Sequence, residues 1–253
     1  KLYQIYRGKS VDLDKDGSIS LENDRIGFLA GSYSSYFGCG GRYTVRESDG
    51  SFTGVYNTPA NINVLEKLQE WFNDDVLNHT YYPGVSAFVT DRAYFIEAAG
   101  CDLSLFRNME NEFGAVPFPK FNEEQKDYYS NAHDNFSVLC VANNIENDEL
   151  VGKVTETLCC ETYRTVITAY YDTALKSKYT ETDDDEDMLD MIMEGRNYDL
   201  AVLFAPSLDR LFYFFRDEIA DKSTSVAGSL DSRIMGWRAA LMRIEKIYGN
   251  LSA

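Results

Sequence analysis

The stretch DLDKDGSIS, from Asp12 to Ser20, is the most specific chemical pattern in the chain. Acidic residues alternate with others, and a glycine follows the last of them. A hard cation such as Ca2+ takes six to eight oxygen ligands, and carboxylates at loop positions one, three and five supply them from one side. Asp12, Asp14 and Asp16 fill those positions. Gly17 permits the sharp turn, Ser18 offers its backbone carbonyl, and Ile19 would pin the loop to a core. Ser20 lies where a side chain or a water binds. The twelfth position is Asn23, where an EF-hand places a bidentate glutamate, and Glu22 and Asp24 flank it. The exit from the loop reads as a strand, so a helix pair is not expected. The expectation is a structural Ca2+ staple that includes Asp24, and not a calcium sensor.

Other chemistries find less support. The two histidines, His79 and His133, are far apart and have no neighbouring nucleophile pattern, so each is expected to be a surface or hydrogen-bonded residue. Neither a GxxxxGK[ST] phosphate loop nor a GxGxxG after a strand occurs, and GCGG at Gly38–Gly41 has the spacing of neither. Five cysteines form no CxxC pair and are odd in number, which argues against zinc, thioredoxin-type chemistry and a disulfide framework. Most of them are expected to act as small hydrophobes in apolar surroundings. The net charge of −17, from 41 acidic and 24 basic residues, would repel a phosphate backbone, so nucleic acid is not an expected partner.

These groups need elements to position them. The 253 residues are 44% hydrophobic and 14% aromatic, ample for a packed core in one large domain or two small ones. The absence of an apolar run of 18 or more residues argues against a membrane span. A strand is expected over 24–31 and a hairpin around Asp49-Gly50, a pair that accepts positive φ. Thr58–Phe72 reads as a helix with Pro59 near its start. Further strands are expected over 92–100, 112–121 and 134–142, the third buried and the second crossing between units because of its two prolines. Helices are expected from Asn147 as N-cap, over 184–194 with the acidic run Glu181–Asp187 at its start, over 207–219, and over 229–248. Strands interleaved with helices predict an α/β fold.

The order of these pieces resembles a known family. An Asp-rich loop precedes DRIGF, then YFGCGGRYTV and DGSF, the TPANINVLEKLQEW helix, VTDRAYFIEAAG, FGAVPFPKF, a strand and helix, and AYYDTALKSKY. From about Asp12 to the end, this is similar to an extracellular solute-binding protein of an ABC importer, of the maltose-binding, sugar-binding type. The resemblance implies a periplasmic-binding-protein-like type II fold of two α/β lobes with the ligand between them. Residues 1–115 and 172–253 would build the carboxy-terminal lobe, and 116–171 would belong to the amino-terminal lobe. Crossings would fall near AVPFP and TAYYDTA. The family's chains are longer, and the start at Lys1 reads as a mature or truncated chain, so the beginning of the amino-terminal lobe is expected to be missing. A similar calcium loop in galactose-binding relatives draws its last ligand from elsewhere in the chain.

The resemblance also implies cleft residues. SYSSYF would set Tyr33, Tyr36 or Phe37 at a strand end. EAAGCD would offer Glu97 and Asp102 in place of a segment that often carries tryptophan. RLFYFFR would put Phe212 and Arg216 on one helix face. The implied function is non-enzymatic: capture of a carbohydrate or similar solute and delivery to ABC permease subunits in the membrane. The protein would be a monomeric extracellular lipoprotein of a Gram-positive bacterium, or periplasmic. The alternative is a secreted, calcium-stabilised hydrolase of carbohydrates working through carboxylates. An adhesion or scaffold module ranks below both, since only one Asp-rich loop is found.

Overall fold

The computed structural model describes residues 1–31, 33–73, 76–78, 81–107, 109–132, 137–142, 144–175, 183–220 and 223–251. His79 and His133 lie outside the described residues. The first half runs α1 (Leu2–Tyr6), β1 (Ile26–Ala30), α2 (Tyr33–Gly38), β2 (Thr44–Arg46), β3 (Phe52–Gly54), α3 (Pro59–Phe72), β4 (Val76–Asn78), α4 (Tyr81–Val89), β5 (Ala93–Ile96) and α5 (Leu103–Phe106). The second half adds α6 (Asp148–Glu161), α7 (Asp183–Glu194), α8 (Leu200–Leu203) and α9 (Val226–Leu251). The class is mixed α/β, as the alternation of patterns predicts.

β1 reads IGFLA and is buried at all five positions, the unbroken apolar run that a parallel strand covered on both faces requires. It is the middle strand of a parallel sheet ordered β4-β1-β5, with Phe28 opposite both Val76 and Phe95. β2 and β3 form the expected antiparallel hairpin, with Gly50 at φ 89° in its turn and Asp49 Oδ1 accepting from Ser51 N at 2.9 Å. α3 starts where the sequence signals it: Thr58 is the N-cap, Pro59 follows, and Val64, Leu65, Leu68 and Phe72 face inward.

One core joins the two ends of the chain. Tyr36, Tyr43, Leu65 and Leu68 from the first half pack in the same buried cluster as Phe212, Phe215, Trp237 and Leu241 from the last quarter. α9 supplies the expected stripe, with Leu230, Trp237 and Leu241 buried and Ile234 packed against the cluster; the side chain of Tyr248 lies outside the described residues. A second cluster joins Leu103 and Phe106 to Leu175 and Leu189. Asp199 ties the halves by hydrogen bonds: Tyr43 N donates to its Oδ2 at 2.8 Å, Thr44 Oγ1 to its Oδ1 at 2.7 Å, and Ala201 N to its Oδ1 at 2.9 Å.

Between Phe106 and Leu175, by contrast, no described residue is buried. The chain first runs along α2, where a two-residue strand, Ser130–Asn131, pairs in parallel with Arg196–Asn197. A Cβ on Gly38 would meet Phe118 Cβ at 2.4 Å, Gln125 Nε2 donates to Gly38 O at 3.0 Å, and Arg42 lies 4.4 Å over the Tyr129 ring. Further on, Asn147 caps α6 by accepting from Leu150 N at 2.9 Å, and the helix continues as a π-helical stretch over Thr162–Leu175.

Four expectations are corrected. Residues 137–142 are exposed and form no strand, because no described strand lies beside them to complete a ladder; 134–136 are outside the described residues. Residues 112–121 form no strand either, and Pro117 and Pro119 cannot donate to one. The helix expected over 207–219 is broken into a 3-10 turn, Leu211–Tyr213, and a π turn, Phe215–Ile219. The break follows Asp209 and Arg210, at φ 48° and 57°, a conformation outside any right-handed helix. Of the five cysteines only Cys39 is buried, and burial pushes its thiol up to about 12, which makes it inert. Among the described residues no helix is long and apolar enough to cross a membrane.

Candidate functional site

Two places gather the groups singled out in the sequence. The first is the loop before β1. Asp24 is buried, and both of its oxygens are engaged: Leu13 N donates to Oδ1 and Ser20 N to Oδ2, each at 2.8 Å. It thereby closes the loop at both ends. Asp12 accepts from Lys15 N at 2.6 Å and from Gly17 N at 2.8 Å, while Gly17 takes φ 88°, a value that glycine adopts without strain. Asn23, at the position of the missing glutamate, donates from Nδ2 to Asp14 Oδ2 at 2.8 Å.

Asp12, Asp14 and Asp24 each bring a carboxylate oxygen within 4.8 Å of the others. Three carboxylates at that separation, each oxygen keeping a second lone pair, suit a hard cation. Asp16 is not part of this group; its Oδ1 accepts from both the backbone N and the Oγ of Ser18 at 2.8 Å. Ser20 Oγ accepts from Asn23 N at 3.3 Å.

The backbone donors of Ser20 and Leu13 hold the Asp24 carboxyl below the usual carboxylate range. A depressed folded-state pKa contributes stability that is complete above the unfolded value, about 3.9, and is lost as pH falls through the folded value. Asp24→Asn is therefore expected to be less stable than the parent chain at neutral pH, with the gap closing as pH drops below about 4. Melting curves of both proteins across that range test this, and a gap that widened in acid would contradict it.

The second place is the carboxyl end of β1 and β5. In open parallel sheets, ligand crevices form outside that end of the strands. Glu97 directly follows β5 and reaches across to the chain leaving β1: Gly31 N donates to it at 3.1 Å, Ser34 N at 3.2 Å and Ser35 Oγ at 3.0 Å. Glu97 thus fixes the start of α2 against the end of β5. Beside it lies a groove of about 180 Å³, lined by Phe28, Phe95, Ile96, Phe106, Phe118 and Leu189 among others. Its wall is apolar, with Ala98, Ala99 and Gly100 along it. Such a surface offers stacking and van der Waals contact, with hydrogen bonding confined to its edge.

The structure separates the expected cleft residues. Glu97 lines the groove. Asp102 is buried within its own turn, accepting from Ala99 N at 2.8 Å. Tyr36, Phe37 and Phe212 are fully buried core residues: Tyr36 Oη donates to Asn61 Oδ1 at 2.9 Å, and Phe37 stacks on Phe212 with ring centroids 5.5 Å apart. Their assignment to a ligand surface is corrected on that ground. Phe212 is buried whereas Arg216 is exposed, and the winding between them passes from a 3-10 turn to a π turn; Arg216 points outward, 2.8 Å from Asp217 and 4.3 Å over the Tyr213 ring. The side chain of Tyr33 lies outside the described residues.

The groove aromatics Phe95, Phe106 and Phe118 were not singled out in the sequence. Phe118 alone had a signal, since it sits between two prolines in the expected crossing. No protein-family model, curated protein or solved structure matches the chain.

Proposed function

We propose that this chain belongs to an extracellular substrate-binding component of an ABC transporter, which captures a carbohydrate or similar solute and hands it to a permease. The observation that carries the reading is the division of the chain. Residues from both ends share one core, whereas between Phe106 and Leu175 no described residue is buried. A chain that leaves a body, offers an apolar helix face and returns is what a lobe shared between two halves requires. On this reading the fold is of the periplasmic-binding-protein-like type II. Residues 1–115 and 172–253 are its carboxy-terminal lobe and 116–171 a piece of the other. The order of motifs supports the assignment, and so does a groove at the carboxyl end of a parallel sheet beside the first crossing.

In this reading the ligand lies against the groove and the turn held by Glu97, and closure is a hinge motion about the crossings near AVPFP (115–119) and TAYYDTA (168–174). The receptor is a monomer at the cell surface, anchored as a lipoprotein or held in a periplasm. Asp12, Asp14 and Asp24 hold a structural Ca2+, with Ser18 and Ser20 as further oxygen sources, and the ion would fasten the loop ahead of β1. It supplies charge neutralisation, with no chemical step.

A thermal-melt screen against a sugar library, with Ca2+ and then with chelator, tests both parts. A sugar that binds only the folded state must raise the melting temperature, by about 2.7 kcal/mol of stabilisation at a hundredfold excess over Kd. Ca2+ is expected to raise it in the parent chain and to have no effect in an Asp12→Asn, Asp14→Asn variant. Turnover of a glycoside would replace the receptor reading with the hydrolase one. Failure of every sugar, with a Ca2+ response intact, would remove the carbohydrate assignment and leave the metal loop standing.

A further inference from the structure

The groove beside Glu97 has a closed floor and an open mouth. Leu103, Phe106 and Leu189 form the floor, only 3–8% exposed and part of one core cluster. Tyr94 and Val116 stand at the mouth, 49% and 61% exposed. Among the described residues, Glu97 and Tyr94 are the groove's only hydrogen-bonding side chains. Glu97 is already committed, since its two oxygens accept from Gly31 N, Ser34 N and Ser35 Oγ. A sugar ring carries a hydroxyl on nearly every carbon. Each hydroxyl taken to this floor would lose its water and find no side chain to replace it. An apolar cavity of about 150 Å³ lined by Leu, Ile and Phe stays dry and admits benzene. At about 180 Å³, with Phe28, Phe88, Ile96, Phe113 and Ile192 on its wall, this groove matches that one in size and composition.

We infer that the groove takes an apolar group of the solute, of the size of a phenyl ring or a short alkyl chain, and that the solute's polar part stays at the mouth. The inference rests on the reading of this groove as the ligand site, and it names the ligand class: a sugar bearing an aryl or alkyl aglycone, not a free sugar. The mouth suits the polar part. The half-exposed Tyr94 ring offers a stacking face and a hydroxyl, and the Arg25 guanidinium lies 5.9 Å over that ring. Burial of the aglycone supplies affinity without direction, while hydrogen bonds at the mouth set which sugar is held.

Methyl resonances of the full chain, labelled at Ile, Leu and Val and titrated with the n-alcohols from propanol to hexanol, test the inference. Shifts are expected at Ile96, Leu103, Leu189 and Ile192. Kd is expected to tighten about fourfold per methylene, the ratio given by about 0.8 kcal/mol for each buried CH2. Phenyl glucoside is expected to shift the same methyls at concentrations where glucose shifts none. Val116→Asp sets a charge at an exposed position of the mouth and is expected to weaken hexanol about tenfold or more. Val154→Asp, in the exposed apolar row Leu150, Val154 and Leu158 of α6, is expected to leave it unchanged. Alcohols that leave these methyls unmoved overturn the inference and mark the groove as a packing face for protein. An affinity indifferent to chain length or to Val116→Asp overturns it too, as does glucose matching its phenyl glycoside. The sugar screen reads the receptor assignment separately: free sugars that bind while the alcohols do not would keep the receptor and remove the aglycone. Alcohols that fill the groove while every glycoside fails would keep the apolar site and remove the carbohydrate.

Discussion

Asp199→Ala is expected to lower the free energy of unfolding by about 3–5 kcal/mol, among the largest losses that a single substitution can cause here. The residue is buried at the start of α8, and its carboxylate accepts from Tyr43 N, Thr44 N, Thr44 Oγ1 and Ala201 N at 2.7–3.1 Å. Two of those donors open the hairpin strand β2, some 155 residues earlier in the chain. Truncation leaves buried donors without a partner, and each such donor costs about 1–3 kcal/mol. It also unfastens the hairpin from the last quarter of the chain. Urea unfolding measures the loss directly, since a change in midpoint at constant slope reports stability. Asp199→Asn keeps one acceptor oxygen and is expected to fall between the two. A loss below about 1 kcal/mol for the alanine variant would mean that water replaces the carboxylate, and that the site is not closed.

Phe212→Ala carries the next largest effect, about 3–5 kcal/mol, because a fully buried phenylalanine leaves a cavity that its surroundings fill only in part. The ring stacks on Phe37 at 5.5 Å and meets Tyr213 edge-on at 4.8 Å. Arg216→Ala, four residues on, removes exposed contacts to Asp217 and the Tyr213 ring and is expected to change stability by no more than about 0.5 kcal/mol. The pair separates two roles for one stretch of sequence. A ligand-facing Phe212 would lose affinity on truncation while the ligand-free protein kept its melting temperature. A core Phe212 loses stability with no ligand present.

That contrast shows where the sequence stopped being informative. Thr58 followed by Pro59 and an apolar period places α3 because capping and φ restriction act within a few residues. Asp49-Gly50 places the hairpin turn for the same reason. In the Asp-rich loop alternation marked Asp12, Asp14 and Asp16, but the carboxylates that gather are those of Asp12, Asp14 and Asp24, the last from beyond the alternating run. Phe212 and Arg216 were misplaced because a spacing of four assumes α-helical winding, and here a 3-10 turn passes into a π turn between them. Tyr36 and Phe37 look like cleft aromatics after a strand end. Only the packing of α9 and the last quarter against them shows that they face inward.

The sequence by itself determined the elements marked by a cap or a turn, such as α3 and the β2–β3 hairpin, and the α/β class, since capping and turn chemistry are decided between near neighbours. Tertiary structure decided which aromatics are core, that Glu97 serves as the clasp of α2, and that the apolar row on α6 faces solvent. A periodic apolar pattern says that a face is to be buried. What buries it is settled by the rest of the fold, because hydrophobic attraction has no direction of its own.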